Sequence, residues 1–415
     1  MKQQLAEMFR EALGSLDLSR RMAARVHCER SLLTIQKDLY DLDAFDEIQV
    51  VAIGKAATEM AATFDLLIGR GRASGIVVAP YEATAVLPNF RYLAGGHPYP
   101  TQGSFRAARA VLQMLDTSGE QSLVVFLISG GGSAVFELPL FDDIDIEDCR
   151  DFYQSLVTCG ANIYEMNVVR KHFSAVKGGR LAVAAWPARQ VTLFVSDVPA
   201  GKDSTVASGP TMPDESTVAE CREVLARYSL GDREIPETPK PGDGHFDHSR
   251  YYVLLSNEDG VNALADLARA CGWNTAIDVS CDDWPLERAS EYLLGKLRAM
   301  RRPACIVSGG ELSSPVTGAG TGGRNQAFVL DCAMRIGNER IAVLSAGTDG
   351  VDGNSPAAGA VADWTTVQRA AQAGMDPRDH FARSDAYTFF AALGDAIITG
   401  PTGNNVRDLR ILAAY

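Results

Sequence analysis

Several short stretches place cations or carboxylates directly behind apolar runs, where a strand would hand over to a loop. In VVAIGKAATEM the apolar run ends in Gly54-Lys55 and an alanine-rich helix follows, so one ammonium lies beside a helix N-terminus, a position that favours anions. Lys55 can there neutralise a phosphate or carboxylate; the alternative is a solvated lysine, since G-x-x-x-x-G-K-[ST] is absent. In LISGGGSAVFELP, Ser129, Gly130, Gly131, Gly132 and Ser133 follow a buried run, and residues without side chains let backbone N–H groups close on phosphate oxygens. A tight strand-to-helix turn would read the same way. A serine-hydrolase elbow is excluded, because G-x-S-x-G needs glycine where Val135 stands, and the nicotinamide fingerprint G-x-G-x-x-G fails at that same residue.

NVVRKHFSAVKGGRLA gathers Arg170, Lys171, His172, Lys177 and Arg180, a cluster suited to an anionic ligand or to a solvated basic face. VTLFVSDVPAGKDST sets Ser196-Asp197 at a strand end, where Asp197 can hold Mg²⁺, accept a proton from a substrate hydroxyl, or simply cap a turn. In VSGGELSSPVTGAGTGGRNQAFVL, a glycine-rich loop of Gly318, Gly320, Gly322 and Gly323 precedes Arg324-Asn325-Gln326 at a helix start. An arginine so placed can stabilise charge spreading over a transferring phosphoryl group, and a phosphate anchor without catalysis would look alike. SAGTDGVDG and ITGPTGNNVRD add Asp349, Asp352, Thr402, Asn404 and Asn405 on strand ends, with turn formation as the alternative; the spacing is not that of an EF-hand.

These loops need a scaffold of strands and helices. Apolar runs of strand length recur at 48–53, 75–79, 123–128 and 191–195 with helical patterns between most of them, which predicts a doubly wound, mostly parallel α/β sheet. IPETPKPGDGHFDHSR, residues 235–250, has no apolar periodicity and reads as a surface loop or linker. Runs at 251–255, 275–279, 304–307, 341–344 and 396–399 then predict a second, smaller α/β unit. The expected domains are therefore 1–240 and 250–415, with residues 1–45 helical and free to pack on either, and the active site in the cleft between the domains.

With 39 Lys and Arg against 52 Asp and Glu, the net charge of −13 argues against nucleic acid or an anionic membrane as partner. The eight cysteines include no C-x-x-C pair and no histidine at zinc spacing, which fits reduced thiols in a cytoplasmic protein. No run of ~18 apolar residues and no signal-peptide pattern occurs.

GKAA, SGGGSA, NVVRKHFSAVKGGRLA, SDVPAGKDSTVASGPTMPD, GGE, GAGTGGRNQ, AGTDGVDG and PTGNNVRDL, in that order over about residues 50–410, resemble the class II glycerate kinase family, the glycerate 2-kinases. The resemblance implies two α/β domains, the first Rossmann-like, and ATP, Mg²⁺ and D-glycerate meeting in the cleft to give 2-phosphoglycerate. It also implies that Lys55 and Arg324 match the family's functional lysine and arginine. A homodimer is compatible with this picture. Two rivals follow: a nicotinamide-dependent hydroxypyruvate reductase, a label often given to the family, and a non-catalytic sugar-acid-binding protein. The chain departs from the family where N-Q-E is Asn325-Gln326-Ala327, T-G-T-N is Thr402-Gly403-Asn404-Asn405, and P-T-D-A-A-G is Asn354-Ser355-Pro356-Ala357-Ala358-Gly359, so two carboxylates are lost.

Overall fold

The computed structural model describes residues 1–83, 86–199 and 201–415; Ala200, inside the SDVPAGKDST stretch, lies outside them. The chain divides into two compact units, residues 18–254 and residues 1–17 together with 255–415.

The first unit opens on the helix Leu18–Arg25 and an antiparallel meander of β1 (Val26–Glu29), β2 (Leu32–Ile35) and β3 (Asp38–Asp41). The meander corrects the expectation that residues 1–45 are helical throughout. Val26, Leu33 and Ile35 are buried, while Arg30 and Gln36 adopt φ of 58° and 54° in the two-residue loops, the left-handed backbone that tight hairpins demand. The main sheet comprises β4 (Glu47–Ile53), β5 (Ser74–Ala79), β6 (Phe90–Ala94), β7 (Ser122–Ile128), β8 (Arg189–Val195) and β9 (Ser249–Leu255). Their order is β6-β5-β4-β7-β8-β9, and the first five are parallel.

Every residue of β7 is buried, as a central parallel strand requires. Val51, Ile53, Val124, Phe126 and Ile128 form the core with Val111 and Leu115 of the helix Gln102–Leu115. The chain leaves β4 for β5 on one side and returns to β7 on the other, so the strand order reverses between β4 and β7. In open α/β sheets this reversal opens a crevice at the carboxyl ends of the strands.

The segment 235–250 is not a free linker. Ile235 and Thr238 are buried, the Thr238 hydroxyl donates to Asp214 at 2.9 Å, and the Asp214 N–H donates to the Pro239 carbonyl at 2.9 Å. Nor does Tyr251–Leu255 begin the second unit: β9 completes the first sheet, which moves the division to Leu254/Leu255.

The second unit has β10 (Asn274–Ile277), β11 (Ala304–Gly309), β12 (Ile341–Gly347), β13 (Gly359–Asp363), β14 (Ala396–Ile397) and β15 (Asp408–Ala414), in the order β10-β11-β15-β12-β13-β14. Only β10 and β11 pair in parallel. β15, which the sequence reading passed over, is central and wholly buried. Its first residues adjoin the last residues of β11 and β12, because Leu409 pairs with Gly309 and Asp408 with Gly347. The N-terminal helix Lys2–Ser15 belongs here: Leu5 and Phe9 are fully buried, and Lys2 Nζ lies 2.9 Å from Asp395. No helix among the described residues is long and apolar enough to cross a membrane, and all eight cysteines are unbridged.

Candidate active site

In the first unit the three loops at the carboxyl ends of β4, β7 and β8 interlock. The Lys55 N–H donates to the Gly130 carbonyl at 3.0 Å, and the Ala56 N–H donates to Ser129 Oγ at 3.0 Å, so Ser129 serves the start of the helix Ala57–Ile68. Gly131 has a φ of +81°, and a Cβ built on it would stand 3.0 Å from Lys55 Cγ. A Cβ on Gly130 would stand 2.1 Å from Asp197 Oδ2. The Lys55 stem and the Asp197 carboxylate therefore lie over adjacent glycines, and only glycine admits both. Lys55 is exposed, and Asp197 is half-buried.

Among the described residues the N–H groups of Gly130, Gly131, Gly132 and Ser133 donate to no protein acceptor. The loop thus presents open donors next to one ammonium, a cradle for an anion with several oxygens. The Ser133 hydroxyl is 2.9 Å from that of Ser208, which donates to Asn167 Oδ1 at 2.9 Å. His97 lies near enough to Lys55 that its pKa is lowered, by partial burial first and by the Lys55 charge second.

The basic stretch mostly builds the loop, which corrects its expected role as an open anion site. Lys171 pairs with Asp214 at 3.0 Å, and both side chains are buried. Burial opposes the Asp214 charge, yet Lys171 and Ser216 hold its carboxyl below the ordinary value. Lys177 is 1 % exposed, bonded to the Phe136 carbonyl at 2.9 Å and to Glu137 at 2.5 Å, and burial lowers its pKa against the pull of Glu137. Arg180 donates to the carbonyl of Lys171 at 2.7 Å. The Arg170 guanidinium stands 5.4 Å from the Tyr153 ring centroid. A cluster of cations in sequence does not reveal carboxylates folded against it from positions 137 and 214.

In the second unit the helix Arg324–Ile336 begins where β11, β12 and β15 converge. Arg324 donates to Asp408 from Nε at 2.6 Å and from Nη2 at 3.1 Å, and its Nη2 forms an ion pair with Glu311 at 2.9 Å. Burial works against its charge, but Asp408 and Glu311 together raise its pKa. Arg324 Nη1 makes no bond among the described residues, and the side chain keeps 36 % exposure. Behind it, fully buried Arg410 donates to the carbonyls of Gly309 and Gly310, each at 2.9 Å, and Arg407 holds Asp282 at 2.5 Å.

The glycine-rich loop here is closed over Gly320, Thr321 and Gly322. The Gly322 N–H donates to Asn354 at 2.8 Å, Thr321 to Asp385 at 3.1 Å and Gly320 to the Arg383 carbonyl at 3.1 Å. Asp352 accepts from the N–H groups of Asn325 and Gln326, at 3.1 and 2.9 Å. Burial first, then Asp408, pushes the Asp352 carboxyl up to about 6 against these hydrogen bonds. Asn325 is not a free ligand as expected: it is 1 % exposed, with its amide shared between Asp352 and Ser345. Asp349 is half-buried and accepts the Val351 N–H at 3.1 Å. The Thr402 hydroxyl donates to the Thr348 carbonyl at 2.6 Å.

The departures from the family pattern have local explanations. Ala327 packs against the core, and Asn354 clamps the glycine loop through Gly320 and Gly322. Among the described residues no three His, Cys, Asp or Glu side chains converge as a metal site. Mg²⁺ commonly takes one or two protein carboxylates and completes its shell with phosphates and water, so Asp197 beside an open cradle fits that demand. Asp408 and Glu311 were missed as site residues; the GGE and VRD segments were the only hint, because the pairs they form span the second unit.

A domain of unknown function, DUF4147, matches residues 4–239, and the MOFRL family matches residues 304–408. The chain is 35 % identical over 381 residues to a D-glycerate 2-kinase of Thermotoga maritima, covering 88 % of this chain and 90 % of that one. It is 37 % identical over 396 residues to a protein of Agrobacterium vitis named putative hydroxypyruvate reductase, covering 88 % and 86 %. The crystal structure of glycerate kinase from Thermotoga maritima superposes with a TM-score of 0.87 at 31 % identity, covering 100 % of this chain and 99 % of that one. On these grounds, and on the motif order, the chain belongs to the glycerate 2-kinase family.

Proposed function

We propose that the protein transfers the terminal phosphoryl group of ATP, with Mg²⁺, to D-glycerate, giving 2-phosphoglycerate and ADP in the cytoplasm. The observation that carries this reading is the open N–H cradle of Gly130–Ser133 flanked by Lys55 and Asp197. Phosphoryl transfer asks for positioning and charge stabilisation more than for covalent chemistry. The cradle donors and Lys55 bind and orient phosphate oxygens. Asp197 takes the proton of the acceptor hydroxyl on a carboxylate oxygen, and it is also the carboxylate that would hold Mg²⁺. When bound, the metal offsets charge on the phosphates. Arg324, fixed by Asp408 and Glu311 with Nη1 left over, stabilises charge on the moving phosphoryl group.

The reductase reading has the name of the Agrobacterium relative in its favour and the missing dinucleotide fingerprint against it. A coupled assay separates the readings. ADP release that depends on D-glycerate, with product taken up directly by enolase, is expected; NADH oxidation with hydroxypyruvate in its place would overturn the proposal. ATP binding without turnover would leave a sugar-acid-binding protein. Arg324→Ala is expected to depress kcat more than it weakens ATP binding, and an unchanged kcat would remove Arg324 from its assigned role.

A further inference from the structure

We infer that the cavity at the carboxyl ends of β5 and β6 is the purine nucleoside subsite of the nucleotide, an inference that rests on the ATP-dependent reading above. The cavity holds about 530 Å³, inside the ~300–1,000 Å³ range of small-molecule sites. Val77, Ala79 and Leu93 give it an apolar floor, and Tyr81 and Tyr92 add aromatic faces. Arg91 and Arg106 line it, both exposed and without an ion-pair partner among the described residues. A purine needs this combination: an apolar slot, a flat guanidinium or ring to stack on, and donors for its ring nitrogens.

Its position relative to the phosphate cradle fits. The Tyr81 hydroxyl donates to the Lys55 carbonyl, so one wall of the cavity is joined to the residue whose stem crosses Gly131. Strands in a sheet lie ~4.8 Å apart, so a ligand with phosphates over β4 and β7 and its base over β5 and β6 crosses roughly 10 Å, the reach of a nucleoside and its phosphates. Glu82, three residues past β5, also lines the cavity. A carboxylate just beyond the second strand is where α/β nucleotide sites receive the ribose hydroxyls. The acceptor acid is then left the opposite side of the cradle, toward β8 and Asp197.

The test uses the full chain. Photolabelling with 8-azido-ATP, followed by peptide mapping, is expected to mark residues between 77 and 106, with the label suppressed by excess ATP and not by D-glycerate. Ala94→Trp fills the cavity from an exposed position at the end of β6. It is expected to weaken ATP binding at least ~10-fold while leaving tripolyphosphate binding unchanged, both read by calorimetry. A label elsewhere, no label at all, suppression by D-glycerate, or wild-type ATP affinity in Ala94→Trp would overturn the assignment. Should glycerate-dependent ADP release fail in the coupled assay while the label still falls in the cavity, the acceptor assignment is wrong and the nucleoside subsite stands.

Discussion

Two glycine-rich loops precede helices in this protein, and they are built in opposite senses. Residues 129–133 leave four N–H groups without acceptors among the described residues and let an exposed lysine cross their surface. Within residues 318–326 the N–H groups of Gly320, Thr321, Gly322, Asn325 and Gln326 are taken by a carbonyl, Asp385, Asn354 and Asp352, and the arginine is tied to two carboxylates. Glycine serves the first loop by clearing room for a ligand and the second by letting protein groups come close, as Gly323 shows with a built Cβ 2.3 Å from Asp352. Glycine content alone therefore says that something approaches the backbone, and the partner of each N–H says what.

The contrast can be broken most strongly at its cation. Lys55→Ala should lower kcat/KM by about 10²- to 10³-fold, the usual loss when one transition-state charge contact goes, and leave the melting temperature unchanged because the side chain is exposed. A folding defect of matching size would show that Lys55 is structural. Glu137→Ala should do the reverse. It strands the buried Lys177 ammonium, which costs about 3–5 kcal/mol in denaturant titration and acts on rate only through stability. Gly131→Ala should cost about 1–2 kcal/mol from its φ of +81° and should also slow turnover, since the new Cβ meets the Lys55 stem.

The smallest effect concerns acid. Asp352 titrates near 6 in the folded chain, above its unfolded value of about 3.9, so its contribution to stability rises as pH falls from about 6 to about 4. Asp278 behaves oppositely: burial alone would raise its pKa, but Lys296, Ser280 and Tyr292 hold it at about 2, so its contribution is lost as pH falls below the unfolded value. Asp352→Asn should make stability fall more steeply between pH 6 and 4 than in the parent, and Asp278→Asn should flatten the fall below pH 4. Thermal melts across that range read both slopes, and parallel curves for all three proteins would refute the assignment.

Much of this is legible in the amino-acid sequence. The apolar runs ending in Lys55, Ser129 and Asp197 gave away the adjacent parallel strands, because a strand buried on both faces writes an uninterrupted apolar word. Arg324 stood out by its place after four glycines. What stayed hidden was pairing at a distance. Asp408 is 84 positions from the arginine it fixes, and Glu137 is 40 from Lys177. β15 was passed over although DLRILAA is apolar nearly throughout, because its polar start follows a loop read as substrate-binding. The meander at 26–41 was lost for a different reason: four-residue strands are too short to show a period of two against the helical signal before them.

The division of the chain also sets an order of assembly. Residues 1–17 are made before residues 18–254, yet Leu5, Phe9 and Leu16 are buried in a unit whose remaining residues begin at Leu255. At ~5–20 residues per second, the ribosome needs on the order of 10–50 s to supply the segment between them. Through that interval the opening helix carries an apolar face with no partner, while residues 18–254 form a continuous piece that can fold on its own schedule. The second unit closes only when residues 1–17 and residues 255–415 are both present, a requirement the contiguous first unit does not share.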